Sequence, residues 1–199
     1  MTDQMQPFFV ANDLLDNVDA LRARFDDDGY LFFKQQLPKE ALTEVNRDFI
    51  ATLQRLGVAS PGATGSAPAI AEGAPFREGE PEYFATYDEL YRCESFHRLA
   101  HDENLMRIMR LTLGATAFPH PLAVARLIFP NNDRVTTPPH QDFPNNQGSS
   151  RLTAAWIPLT DCPHSLGPLK ILRGSHKQGV LPLQFHLGAG HRQAKLDPR

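Results

Sequence analysis

Apolar residues in the first half of the chain recur at helical intervals. Leu14, Leu15, Val18, Leu21 and Phe25 share one face of a segment over residues 12–26, Asn12 or Asp13 is placed to cap its start, and Gly29 follows its end. The aromatic run Gly29-Tyr30-Leu31-Phe32-Phe33 then predicts a short strand. Pro38 opens a second helix that carries Leu42, Val45, Phe49, Leu53 and Leu56 and stops at Gly57. Over residues 59–81 the period disappears into Ala, Gly, Pro and Ser, the texture of a long loop that either folds over a pocket or stays disordered. Helical pattern returns over residues 87–113 and ends at Gly114. His97 and His101 stand one turn apart there, but no Glu follows His97 as a metalloprotease helix would need, so they read as a solvated helix face.

Beyond Gly114 the texture changes to short extended runs. Residues 122–129 are apolar except for Arg126, and a turn follows at 130–133. Residues 152–159, with the only tryptophan at Trp156, and residues 169–172 predict further strands separated by polar turns. Helices first and strands later predict a mainly β fold with N-terminal helices, an antiparallel double sheet with the helices packed outside it. The expected organisation is one domain over residues 1–199, helical to about 115 and sheet-forming from about 116.

Composition narrows the partners. At 199 residues a single domain buries roughly 70% of its unfolded surface, enough for a proper core. A formal charge of −3 with interspersed signs supplies no basic field for nucleic acid. Cys93 and Cys162 have neither metal-ligand spacing nor the numbers of a disulfide framework, which fits free thiols in a reducing cytoplasm. No run is long and apolar enough for a membrane span, and residues 1–10 lack the cationic flank of a targeting segment. The expectation is a cytoplasmic protein acting on a small molecule, with neither nucleic acid nor membrane as partner. Nothing in the sequence sets its oligomeric state.

The chemistry concentrates at Pro138-Pro139-His140-Gln141-Asp142. Two prolines favour an extended entry, and on a strand His140 and Asp142 would leave the same face. An imidazole and a carboxylate side by side, with further coordination positions open, are two of the three ligands of a non-haem Fe(II) oxygenase site. Gln141 would leave the opposite face. Arg126, a charge inside an apolar run, points into a cavity or meets a carboxylate on one reading and sits at a surface edge on another.

Three further motifs follow in order: Trp156-Ile157-Pro158-Leu159-Thr160-Asp161, Leu166-Gly167-Pro168-Leu169, and Arg173-Gly174-Ser175-His176-Lys177-Gln178-Gly179, with Asp28-Gly29-Tyr30-Leu31-Phe32-Phe33 upstream. Together with His140-Gln141-Asp142 they resemble the phytanoyl-CoA dioxygenase family of Fe(II)/2-oxoglutarate oxygenases over about residues 20–180. The resemblance implies a double-stranded β-helix, the cupin-like jelly roll, and a reaction in which 2-oxoglutarate is decarboxylated to succinate while a substrate C–H bond is hydroxylated. It assigns His140 and Asp142 to iron and Gln141 and Trp156 to the co-substrate, Trp156 having an ordinary core aromatic as its other reading; Arg126, from its place in the apolar run and not from the resemblance, is a further candidate to contact a carboxylated ligand. It also implies a distal histidine in a later strand and, after it, an arginine for 2-oxoglutarate, and nothing after Gly179 matches either. The expectations are therefore that His176, His186 and His191 lie away from the pair, that the jelly roll lacks its last strands, and that the chain is a piece of a longer oxygenase with weak or absent turnover. The other functional classes are an inactive jelly-roll module for binding or interaction, and a different cupin-like metal protein.

Overall fold

A computed structural model describes residues 5–64, 76, 78–129, 137–185 and 192–194. Its helices are α1 (Val18–Asp28), α2 (Lys39–Arg55), α3 (Pro81–Leu90), α4 (Glu94–Leu99), α5 (Glu103–Leu113) and the one-turn α6 (Phe143–Asn146). The cap of α1 is Asn17, whose side chain accepts from Ala20 N, later than expected because Asn12 is spent elsewhere. The Asn12 amide instead brackets Lys34, donating to its carbonyl at 2.8 Å and accepting from its N–H at 2.9 Å, and residues 12–14 form only a tight 3-10 turn. The aromatic run after Gly29 makes a single parallel bridge, Val10 to Phe32, rather than a strand. The helical pattern of residues 87–113 is divided among α3, α4 and α5, with the Asp102 carboxylate capping α5 at Asn104 N and Leu105 N.

The core forms where α2 meets α3 and α4. Val45, Phe49 and Leu53 of α2 pack with Tyr87 and Leu90 of α3 and Leu99 of α4, each side chain contributing about 1.5–3 kcal/mol by leaving water. Phe76, from the otherwise undescribed stretch of the 59–81 loop, meets Phe129 edge-on at 5.0 Å, and Gln54 Nε2 donates to the carbonyls of Ser60, Pro61 and Ala63. The described parts of that loop are thus fastened to the core. A second contact pairs α1 with α5, where Leu21, Met106 and Ile108 are buried. Among the described residues no helix is long and apolar enough to cross a membrane.

The expected mainly β jelly roll over residues 116–199 is not what the structure shows. Among the described residues strands are confined to β1 (Leu183–Phe185) and β2 (Arg192–Ala194), an antiparallel pair in which Gln184 faces Gln193, so the fold is predominantly helical. The reason is visible at residues 122–129. Side chains there do alternate: Ala125 and Phe129 are buried and Leu127 packs on the core, whereas Leu122, Val124, Arg126 and Ile128 are exposed. The backbone, however, pairs with side chains and not with a neighbouring strand. Leu127 N donates to the Tyr87 hydroxyl at 3.1 Å, and Ala125 hydrogen-bonds the Tyr91 hydroxyl. Tyr87 of α3 and Tyr91, which caps its end one turn later, supply the acceptors that a strand would supply. Alternation reports which face is buried; it does not report a ladder.

Later segments return to the helical layer. α1 ends in Asp26-Asp27-Asp28, three acids at the helix end whose dipole repels them. The loop at residues 173–177 answers that charge. Arg173 Nε lies 2.5 Å from Asp28 Oδ1, Lys177 Nζ 2.6 Å from Asp27 Oδ1, His176 Nε2 2.9 Å from the Asp26 carbonyl, and Gly174 N donates to the Asp28 carbonyl at 2.9 Å. Asp28 is fully buried and is also met by Arg24 Nε at 2.5 Å.

Candidate metal centre

His140 and Asp142 face each other, with Nε2 and Oδ1 3.3 Å apart, each side chain about one third to two fifths exposed. They do not meet by strand alternation. Residues 140–142 are not a strand, and Asp142 (φ −71, ψ −36) has already turned into helical conformation at the start of α6. An Asp at that position ordinarily caps the helix, but this carboxylate makes no cap bond and is turned to His140 instead. Pro144 in the first turn of α6 requires no N–H partner, which helps a helix this short to start directly after the pair.

The other face of the imidazole is fixed by the backbone. His140 Nδ1 lies 2.9 Å from the Pro138 carbonyl, and because a carbonyl only accepts, Nδ1 carries the proton. That bond sets the ring orientation and leaves Nε2 as the atom presented to Asp142. Without a metal, Asp142's hydrogen bond holds the imidazole above its usual pKa against the opposing effect of burial, and His140 in turn holds the Asp142 carboxyl below the usual carboxylate range. Both signs describe an imidazolium–carboxylate pair. A metal ion bound here would take the place of the Nε2 proton. With metal–nitrogen and metal–oxygen bonds of about 2.1 Å, atoms 3.3 Å apart are both within reach of one ion, so the donor set fits two protein positions of a metal site. Among the described residues no group of three His, Cys, Asp or Glu side chains surrounds such a position.

Arg126 is exposed and donates from Nη2 to the Thr137 hydroxyl, and its charge reaches both members of the pair, lowering the pKa of each. Gln141 uses its whole amide on the returning chain, donating to the Gly179 carbonyl at 2.9 Å and accepting from Leu181 N at 2.8 Å. Trp156 is 43% exposed, while its neighbours Ile157 and Leu159 pack toward the helical core. The structure thus gathers His140, Asp142 and Arg126, gives Gln141 a backbone-clamping role, and turns Trp156 outward from the core. His176 sits on α1, bonded to the Asp26 carbonyl. His186 and His191 lie outside the described residues. His97 points its Nε2 at the Tyr91 carbonyl, 2.6 Å away.

Sequence reading missed the supporting partners: the Pro138 carbonyl, the Thr137 hydroxyl and the tyrosines of α3. Tyr83, Tyr87 and Tyr91 carried a signal in their one-turn spacing, and they form a ladder with centroids 4.3 Å and 5.9 Å apart. Burial pushes the Tyr83 phenol up to about 12, helped by the Glu78 charge.

A family model described as phytanoyl-CoA dioxygenase (PhyH) matches residues 25–195. A protein of Streptomyces exfoliatus named 1-deoxypentalenic acid 11-beta-hydroxylase is 26% identical over 184 residues, covering 90% of this chain and 62% of the relative. The protein of the same name from Streptomyces arenae is 26% identical over 183 residues with the same coverage. The chain therefore spans 62% of the length of these curated relatives.

Proposed function

Because the chain belongs to the phytanoyl-CoA dioxygenase family, we propose that it is the metal-binding part of an Fe(II)/2-oxoglutarate-dependent dioxygenase that hydroxylates a small organic substrate. The observation that carries this reading is the convergence of His140 Nε2 and Asp142 Oδ1, with Nδ1 anchored on the Pro138 carbonyl. His140 and Asp142 would hold the iron, which with 2-oxoglutarate supplies the oxidising chemistry. Pro138 keeps the imidazole in the tautomer that offers Nε2, and the Asp142 carboxylate stays available because it does not cap α6. Arg126 places a cation beside the pair, where it suits a carboxylate of the co-substrate. Trp156 would line the co-substrate from the face turned away from the core, and Gln141 acts at one remove by holding residues 179–181 against the site. An organic acid as the substrate is supported by the relatives' names and by the exposed Leu122, Val124 and Ile128, which give Arg126 apolar company that suits one.

The first test is Fe(II) binding to the purified chain under anaerobic conditions, followed by calorimetry. Saturable binding that is lost in both His140→Ala and Asp142→Ala supports the reading, and binding unchanged in both variants overturns it. Where succinate is released, either substitution should lower the rate by more than the roughly 10–100-fold that losing an outer partner of a metal ligand costs. A plain ion pair, the second reading favoured by the two pKa directions, predicts no Fe(II) binding at all.

A further inference from the structure

The packing of α1 against α5 leaves an open cleft of about 430 Å3 lined by Val18, Arg22, Arg107, Arg110, Leu111 and Ala115. Its lining follows from helical spacing. Val18 and Arg22 are one turn apart on α1, and Arg107, Arg110 and Leu111 stand at i, i+3 and i+4 on α5, so two faces meet in a mostly apolar lining to which three arginine side chains contribute.

The charge in this cleft is out of balance. Arg22 Nε donates to the Leu111 carbonyl at 2.8 Å, which uses one of its five donors on a helix end. Among the described residues the Arg107 side chain has only Asp16, 3.8 Å away on a side chain that is 96% exposed and therefore heavily screened. The Arg110 side chain makes no ion pair or hydrogen bond among the described residues, while its carbonyl accepts from Gly114 N. A fourth guanidinium, Arg151, donates to the Leu113 carbonyl at the same end of α5. The helix dipole accounts for part of this clustering, but it presents only roughly half a negative charge and leaves most of the positive charge of the three lining arginines uncompensated. Arg107 and Arg110 are moreover like charges on adjacent positions of one helix face, an arrangement that costs stability unless an anion joins them.

We propose that this cleft binds a small organic oxyanion, a carboxylate or phosphate monoester carried on an apolar body. The guanidinium forks of Arg107 and Arg110 match the planar oxygens of such a head group, and Val18, Leu111 and Ala115 receive the apolar part. The volume lies within the range of small-molecule sites. No lining residue belongs to the His140–Asp142 pair or its partners, so the site stands apart from the proposed metal chemistry.

The test is calorimetric titration of the full chain at low ionic strength with octanoate, octyl phosphate and inorganic phosphate. At least one alkyl anion should bind saturably and more tightly than inorganic phosphate, and whichever binds better identifies the head group. Arg107→Gln and Arg110→Gln, both at exposed positions, should each weaken that binding about tenfold without lowering the thermal unfolding midpoint of the free protein. Arg22 is kept because its Nε holds the Leu111 carbonyl. A protein carrying His140→Ala should bind the anion as the parent does. The proposal is overturned if neither alkyl anion binds, if inorganic phosphate binds as tightly as both, if the two arginine variants bind like the parent, or if His140→Ala abolishes binding.

Discussion

Gly29 ends α1 at φ +78, a conformation that side chains with a Cβ resist, and a Cβ there would also run into the imidazole of His176. Gly29→Ala should therefore cost at least about 1 kcal/mol for the backbone and more for displacing the ring. Urea unfolding in a double-mutant cycle with His176→Ala separates the two: the penalty should shrink to the backbone part once the ring is gone, and an undiminished penalty would show that His176 is not the obstacle. Tyr87 is 5% exposed, and its hydroxyl is the acceptor for Leu127 N. Tyr87→Phe leaves that N–H without a partner and should cost about 1–3 kcal/mol in the same measurement. At this scale the sequence was informative about residue type and poor on orientation. His140 and Asp142 stood out by chemistry, and the face-to-face geometry they adopt comes from a turn into α6 that strand periodicity does not describe. The resemblance puts Gln141 near the co-substrate, and nothing in its local sequence reveals that residues 179–181 come back to take both ends of its amide.

Among elements, three helical segments were legible from apolar residues at helical spacing and from their bounding Gly or Pro, Gly29 after α1, Pro38 before α2 and Gly114 after α5, while the division of the last segment into α3, α4 and α5 and the start of α3 at Pro81 were not. The strands were not, because a ladder depends on a partner that local pattern cannot specify. Residues 122–129 satisfy period two and yet bond to tyrosine hydroxyls. Their two faces should respond differently to substitution. Phe129→Ala, on the buried face against Phe76, should destabilise by about 3–5 kcal/mol, whereas Val124→Thr or Ile128→Thr, on the exposed face, should stay within about 0.5 kcal/mol. Urea midpoints for the three variants check this, and equal losses on both faces would show that the outward side is covered in solution. The 59–81 segment was legible only as a loop, and the burial of Phe76 within it had no periodic signal to announce it.

For the molecule as a whole, the contact of residues 173–177 with the end of α1 joins positions about 145 to 150 apart in sequence. It is an electrostatic contact, so solution conditions should loosen it. Lys177, through its hydrogen bond and charge, and then Arg173 hold the Asp27 carboxyl below its ordinary 3.8. A carboxyl lowered by folding stabilises the native state fully above that ordinary value, and the contribution fades as pH falls through the lower folded one. Melting temperatures recorded from neutral to strongly acidic pH should therefore fall less steeply for Asp27→Asn than for the parent, and added salt should narrow the gap between them. Identical acid profiles would remove Asp27 from the account. The same contact has a consequence in time. At about 5–20 residues per second, roughly 7–30 seconds of translation separate Asp28 from Arg173. Throughout that interval the nascent α1 ends in three aspartates without the Arg173 and Lys177 that later pair with two of them, and its last turn should fray until the basic loop leaves the ribosome, so the first helix of the chain is among the last to be finished.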